Sequence, residues 1–291
     1  MSGKTFFDIT GKYAELKNSK YVIISAPFDG TSTWRKGADK GPAAIFKASH
    51  YVELYDIETG VEGYKSGIYT DTEKRNFSTS KSMISSLKKA AAKYIKMGKI
   101  PVVIGGEHSI SIGSASAISS FFSDFTFLQL DAHSDMRDVY EGSSYNHACT
   151  MARLKEFGDI VQVGVRSMDQ SEIKKIQADR IFFAHQIYNG TNWIDSVVKK
   201  LNRNVYITID LDVFDPSIMP STGTPEPGGL GWYQVCELVK TVCKKRNLIG
   251  FDITELCPDA NKSSDFLAAK LIYTIISYNE SFFNRREKNL K

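Results

Sequence analysis

Seven short apolar runs, most of them rich in β-branched residues, alternate along this chain with helix-like stretches, and no other feature constrains its fold as tightly. The runs are "YVIISAP" (Tyr21 to Pro27), "IPVVIG" (Ile100 to Gly105), "FTFLQL" (Phe125 to Leu130), "IVQVGV" (Ile160 to Val165), "RIFFA" (Arg180 to Ala184), "VYITID" (Val205 to Asp210) and "LIGFDIT" (Leu248 to Thr254). Between them lie helical patterns such as "KSMISSLKKAAAKYIKMG" (Lys81 to Gly98) and "WYQVCELVKTVCKK" (Trp232 to Lys245). Strands interleaved with helices of this length predict right-handed crossovers and a mostly parallel sheet covered on both faces, an α/β fold. No repeat, low-complexity block or long Pro/Gly/Ser linker interrupts the pattern. A single domain over residues 1–291 is expected, with 1–20 and 280–291 as peripheral ends. With 291 residues and 42% hydrophobic composition the chain can bury a large core.

Charge and cysteine usage exclude several classes. Lys and Arg total 37 against 33 acids, a net charge of +4 spread along the length. The one basic concentration, "NRREKNLK" at Asn284 to Lys291, reads as a solvated end, so no nucleic-acid partner is expected. No apolar run approaches the roughly 20 residues of a membrane span, and the N-terminus lacks the basic-then-apolar order of a secretory signal. A cytoplasmic protein without membrane contact is expected. Cys149, Cys236, Cys243 and Cys257 form no CxxC pair and read as reduced, partly buried thiols.

In open parallel sheets, sites form at the carboxyl ends of strands. The polar clusters of this chain fall at four predicted strand ends. "GGEHSI" presents His108, "DAHSD" presents Asp131, His133 and Asp135, "DLD" presents Asp210 and Asp212, and "TEL" presents Glu255. Asp131, His133 and Asp135 share one face if the extended backbone continues briefly beyond the strand. Carboxylates clustered in this way repel one another unless positive charge sits among them.

The charge count points to metal. Asp131, Asp135, Asp210 and Asp212 bring four negative charges, which two divalent cations cancel while His108 and His133 complete the ligand shells as neutral imidazoles. An oxygen-rich, sulfur-free donor set favours Mn²⁺, with Mg²⁺, Co²⁺, Fe²⁺ and Zn²⁺ behind it. Two such ions hold a bridging water and make it a hydroxide nucleophile near neutral pH. Each motif alone has a plainer reading. "GGEHS" fits a turn with a helix start, and "DLD" fits a strand-to-loop transition capping a helix. Gathered at separate ends of one sheet, they favour a metal site.

Together "GGEHS", "DAHSD", "TIDLDVFDPSIMPSTGTPEPGG" and "GFDITEL" resemble the ureohydrolases, the dimanganese family of arginases, agmatinases and their relatives. The segment "APFDGTSTWRKGADKGPAAI" (Ala26 to Ile45) resembles that family too, and the likeness runs from near residue 21 to near residue 275. It implies a three-layer αβα architecture around an eight-stranded, mostly parallel sheet, two Mn²⁺ per subunit, and self-association as a trimer or hexamer. It also implies that His108, Asp131, Asp135 and Asp210 bind one ion and Asp131, His133, Asp210 and Asp212 the other. By the same resemblance Asp135 orients the hydroxide, His147 carries protons to the departing amine, and Glu255 binds the substrate guanidinium. His147 alone also reads as a helix N-terminal residue without a catalytic role. The implied reaction is attack of the metal-bridging hydroxide on the guanidinium carbon, giving urea and an amine. A guanidinium carbon is a poor electrophile, so an activated nucleophile and acid help for the leaving amine are the two needs.

The substrate is read from departures within the resemblance. Arginases usually carry a Ser-x-Asn-x-His run, whereas here Tyr145 stands in the Asn position between Ser143 and His147. "TPEPGGL" with Glu226 resembles the agmatinase form of its loop. Agmatine has a distal ammonium and no carboxylate, which suits Glu226, Tyr145 and Trp34 at the pocket mouth. Agmatine is therefore expected to yield putrescine and urea. Aminopropylagmatine fits the same argument, guanidinobutyrate fits if Arg137 or Arg153 faces the pocket, and arginine and a non-catalytic family member are the further alternatives.

Overall fold

In the computed structural model, residues 5–75 and 77–288 are described, with side chains described up to residue 282. The expected solvated tail at Asn284 to Lys291 lies outside the described side chains. Eight strands form one sheet: β1 (Tyr21–Ala26), β2 (Ile68–Thr70), β3 (Ile100–Gly105), β4 (Phe125–Leu130), β5 (Asp159–Val163), β6 (Ile181–Phe182), β7 (Asn204–Asp210) and β8 (Asn247–Thr254). Their order across the sheet is β2-β1-β3-β8-β7-β4-β5-β6, and every pairing is parallel. Each parallel neighbour requires a crossover, and the helices supply it. The seven runs read from the sequence account for all strands but β2. That strand is three residues on the sheet edge after Gly67, too short to carry a periodic signal.

Period-2 alternation sends the strand side chains to two different layers. Ile23, Val102, Leu128, Ile207 and Ile253 share one core cluster with residues of α1 (Gly41–Ser49), α6 (Trp193–Lys199), α7 (Trp232–Lys245) and α8 (Ser263–Lys288). On the other face, Val22, Ile24 and Val103 pack with α2 (Ser80–Lys96). Phe125, Phe127 and Ile160 pack with α2, α3 (Ile110–Ile118) and α4 (Thr150–Leu154). The arrangement is three-layered. The strands are buried on both faces, which is why they read as continuous apolar runs.

Residues before β1 do more than decorate the surface. Phe6, Phe7 and Ile9 are buried in the larger core, and Phe6 and Phe7 meet edge to face at 4.7 Å between ring centroids. Each such burial stabilises the fold by roughly 1.5–3 kcal/mol. Among the described residues no helix is long and apolar enough to cross a membrane. All four cysteines are buried and free.

Candidate metal centre

Four neighbouring strands, β3, β8, β7 and β4, end side by side, so the four polar clusters of the sequence become one. Beyond β3 the chain turns through Gly106, where a Cβ would lie 2.0 Å from the Phe28 carbonyl oxygen. Only glycine permits that approach. The close crossing is held by Glu107 N–H donating to Phe28 O and by Glu255 N–H donating to Gly106 O, at 2.8 and 2.7 Å. It thus locks the loops after β1, β3 and β8 together. Beyond β4 the backbone stays extended long enough for His133 to pair with Ser167, then departs at Asp135, whose φ of 52° is left-handed. Glu255 is also left-handed, at φ 67°. Strain of this kind, roughly 1–3 kcal/mol per residue, persists where the surrounding fold dictates the conformation.

Two donor sets result, His108–Asp131–Asp135 and Asp131–His133–Asp212, sharing Asp131. His108 Nδ1 lies 3.0 Å from Asp131 Oδ2, 3.0 Å from Asp135 Oδ2 and 3.5 Å from Asp210 Oδ2. His133 Nδ1 lies 2.9 Å from Asp212 Oδ2 and 3.6 Å from Asp131 Oδ1. Asp131 therefore turns one oxygen to each set. Asp210 sits beside the first, and its Oδ1 accepts the Asp212 N–H at 2.9 Å. All six residues expected as metal ligands come together.

The protonation of His108 tests whether the cluster fits a cation. The Thr208 hydroxyl donates to Asp252 Oδ1 at 2.7 Å, so its oxygen accepts from His108 Nε2 at 2.8 Å. The ring proton is then on Nε2, and Nδ1 is a bare lone pair. That buried Nδ1 makes no hydrogen bond although three carboxylate oxygens surround it. A lone pair facing anionic oxygens is repulsive, and a divalent cation resolves the conflict. Protons are the poorer substitute. Burial opposes charge on both imidazoles, yet Asp131 and Asp135 raise the pKa of His108, and Asp212 and Asp131 raise that of His133. Burial and the charge of Asp131 push Asp135 up to about 7. Asp210 is raised by burial, then by Asp212 and Asp131. Asp131 goes the other way: burial would raise it, but His108 and His133 beside it hold it low.

Neighbouring polar groups fix the candidate ligands. Asp131 Oδ2 accepts from Gln129 Nε2 at 2.6 Å, and Gln129 Oε1 accepts from Gln162 Nε2 at 2.6 Å. Buried Glu172 accepts from Ser134 Oγ and Met136 N–H, at 2.7 and 2.8 Å, pinning the loop between His133 and Arg137. Arg166 Nη2 donates to the carbonyls of Asp212 and Glu226, at 2.6 and 2.8 Å, and its other N–H groups reach those of Gly164, Val213 and Pro227. Neither Glu172 nor Arg166 was found from the sequence. Their only trace is the "GVRSMDQSE" run just beyond β5, which carries no ligand-like spacing.

The centre forms the floor of a pocket of about 290 Å³ that Trp34, Arg137, His147 and Glu255 also line. That volume is at the small end of ligand sites. Glu255 Oε1 accepts the His108 N–H at 2.8 Å, and burial, then the charge of Glu107, raises its pKa. Glu107, buried behind it, is lifted by burial to about 7. His147 is lowered to about 4 by burial and then by the charge of His133. Trp34 stands 81% exposed at the rim, and Glu226 Oε1 lies 3.9 Å from His133 Nε2.

Tyr145 corrects the sequence reading. It is not on the pocket wall but packs, half-buried, against the apolar cluster that contains Met136 and Met151. An aromatic ring gains more from that contact than from a wall of charged groups. Of the two cationic candidates, Arg137 lines the pocket, whereas Arg153 pairs with Asp138 and Glu156 outside it.

The chain is similar to known proteins in sequence and fold. A family model described as the arginase family matches residues 19–277. The N(1)-aminopropylagmatine ureohydrolase of Synechocystis sp. is 38% identical over 269 residues, covering 88% of each chain. The agmatinase of Pyrococcus horikoshii is 33% identical over 278 residues, covering 93% of this chain and 95% of its own. Among solved structures, the agmatine ureohydrolase of Thermoplasma volcanium superposes with a TM-score of 0.86 at 31% identity, covering 98% of this chain and 97% of the other.

Proposed function

The chain belongs to the arginase family, and from that premise we propose that it is a ureohydrolase of guanidino compounds bearing a cationic tail, with agmatine as the reference substrate. The observation that carries this reading is the pair of donor sets sharing Asp131 beneath a pocket bounded by Glu255 and His147. His108, Asp131, Asp135 and Asp210 would hold one Mn²⁺ and Asp131, His133, Asp210 and Asp212 the other. The oxygen-rich donors favour that ion, and buried Cys149 and Cys257 belong to neither donor set. When bound, two such ions supply the charge that makes water nucleophilic near neutral pH.

The protein's own groups do the rest. Glu255 receives the guanidinium, whose planar N–H fork matches a carboxylate. A side chain at Gly223 would have its Cβ 3.2 Å from Glu255 Oε2, so the glycine keeps that oxygen open. Asp135 accepts a hydrogen bond from the attacking water and orients it. His147 passes a proton at Nε2 to the departing nitrogen, since an amine leaves far more readily protonated. Water adds, one C–N bond breaks, and urea and the amine are released.

Acids near the mouth suit an ammonium tail, with Glu226 beside His133 and Asp169 on the wall. A second reading, hydrolysis of N(1)-aminopropylagmatine to spermidine and urea, is favoured by the likeness to the Synechocystis enzyme. Guanidinobutyrate would pair with Arg137 instead. The reading includes a cytoplasmic location and self-association as a trimer or hexamer. Its test is urea release by Mn²⁺-loaded protein from agmatine, aminopropylagmatine, guanidinobutyrate and arginine, with the amine identified. A higher kcat/KM for either cationic-tailed compound than for the other two is expected. Absence of urea from all four would overturn the reading.

A further inference from the structure

We infer that Thr31 is a positioning residue that fixes the tautomer of His147, leaving Nε2 as the one nitrogen able to carry a proton to and from the substrate. The inference rests on the reading of His147 as the proton carrier, and the geometry adds how that nitrogen is chosen.

Thr31 lies in the loop after β1, which the Gly106 crossing presses against the loop after β3. Three groups meet its hydroxyl oxygen: Glu107 Oε2 at 2.7 Å, the backbone N of His147 at 2.9 Å and His147 Nδ1 at 3.2 Å. A hydroxyl has one proton to give and two lone pairs to receive with. The backbone N–H can only donate, which occupies one lone pair. The Thr31 hydroxyl gives its proton to Glu107 Oε2, and the Glu107 oxygens also receive the Ser109 hydroxyl and the Ser109 N–H. The second lone pair is left for Nδ1, so Nδ1 carries a hydrogen. Nε2 then has a free lone pair, and among the described residues it makes no hydrogen bond. Neutral imidazole in this state accepts a proton at Nε2 and later releases it to the amine nitrogen. Nδ1–H stays bonded to Thr31 throughout, with Glu107 Oε2 accepting the Thr31 hydroxyl behind it. The logic is that of an acid that orients a histidine through its second nitrogen, with a hydroxyl interposed.

Thr31 is not itself on the pocket wall, which is formed by its neighbours Ser32, Thr33 and Trp34. Its loss should therefore leave substrate binding unchanged. In Mn²⁺-loaded protein with agmatine or aminopropylagmatine, whichever is turned over, Thr31→Val is expected to lower kcat about tenfold to a hundredfold with KM within about twofold. Thr31→Ser, which keeps the hydroxyl, should retain kcat within about threefold. Nitrogen-15 NMR of the imidazoles in Mg²⁺-loaded protein, with His147→Asn used for assignment, should give the Nδ1–H form in the wild type and its loss in Thr31→Val. An Nε2–H form in the wild type, or unchanged kcat in Thr31→Val, would overturn the inference. If His147→Asn itself retains full turnover, the proton-carrier reading fails, and with it the catalytic part of this inference. If Thr31→Val does not fold, the wild-type tautomer and the Thr31→Ser rate decide.

Discussion

Replacing Arg166 with methionine keeps the aliphatic stem but removes five N–H donors from beneath the candidate metal centre. The two shortest bonds of the guanidinium go to Asp212 O and Glu226 O, at 2.6 and 2.8 Å, and so join the segment carrying a proposed ligand to the loop carrying Glu226. Bonds from a charged donor contribute about 1.5–3 kcal/mol each, so these two alone amount to roughly 3–6 kcal/mol. Arg166 is half-buried, and water reaching the abandoned carbonyls brings the expected loss down to about 3 kcal/mol. For a chain of this size that lowers Tm by roughly 5 °C. Loosening the support behind Asp212 should also weaken Mn²⁺ binding about tenfold or more. Thermal unfolding of metal-free protein and calorimetric Mn²⁺ titration measure the two effects. Arg166→Lys, a point charge without the planar fork, should recover part of each. A Tm within about 2 °C of wild type, with unchanged metal affinity, would refute the clamp.

The unusual proton affinities of the centre make a second prediction. In metal-free protein His108 and His133 have pKa values raised in the fold, as do Asp135, Asp210, Glu107 and Glu255, whereas Asp131 and His147 are shifted down. The folded state therefore binds more protons than the unfolded chain above the ordinary carboxylate range, and stability must fall as pH rises through neutrality. Tm should drop between about pH 6.5 and 8.5 after chelation, and saturating Mn²⁺ should remove the drop; a metal-free Tm that rises over this window contradicts the sign. Third, Asp131→Asn and Asp210→Asn should abolish both metal loading and turnover, whereas His147→Ala should keep the metal and slow the reaction. Metal analysis beside urea release separates these, and full metal content in either Asp variant would sink the ligand assignment.

How much of this was legible in the sequence depended on the range of the interaction concerned. Burial on both faces forces strands to be continuously apolar, so seven of eight strands and the helix at Trp232–Lys245 could be read from local pattern. The short edge strand Ile68–Thr70 could not, because three residues carry no period. The proposed metal ligands stand out for a related reason: each lies at or just beyond the end of a strand of a parallel sheet, and such strands end on one edge. Tyr145 shows where that reasoning stops, since spacing near a histidine says nothing about which way a ring packs.

By itself, then, the sequence determined the αβα class, the strand ends that carry chemistry and the surplus of carboxylates calling for cations, all properties of contiguous segments. Only the tertiary structure decided that β3, β8, β7 and β4 are neighbours, that Asp131 is shared between the two donor sets, and that Arg166, Glu172 and Thr31 stand behind the site. Arg166 and Glu172 act across separations of tens of residues through hydrogen bonds to backbone carbonyls, backbone N–H groups or a single hydroxyl, and Thr31 joins Glu107 to His147 only because the fold brings their loops together. Every residue has a backbone, so such partners leave no mark in the sequence until the fold brings them within 3 Å or so.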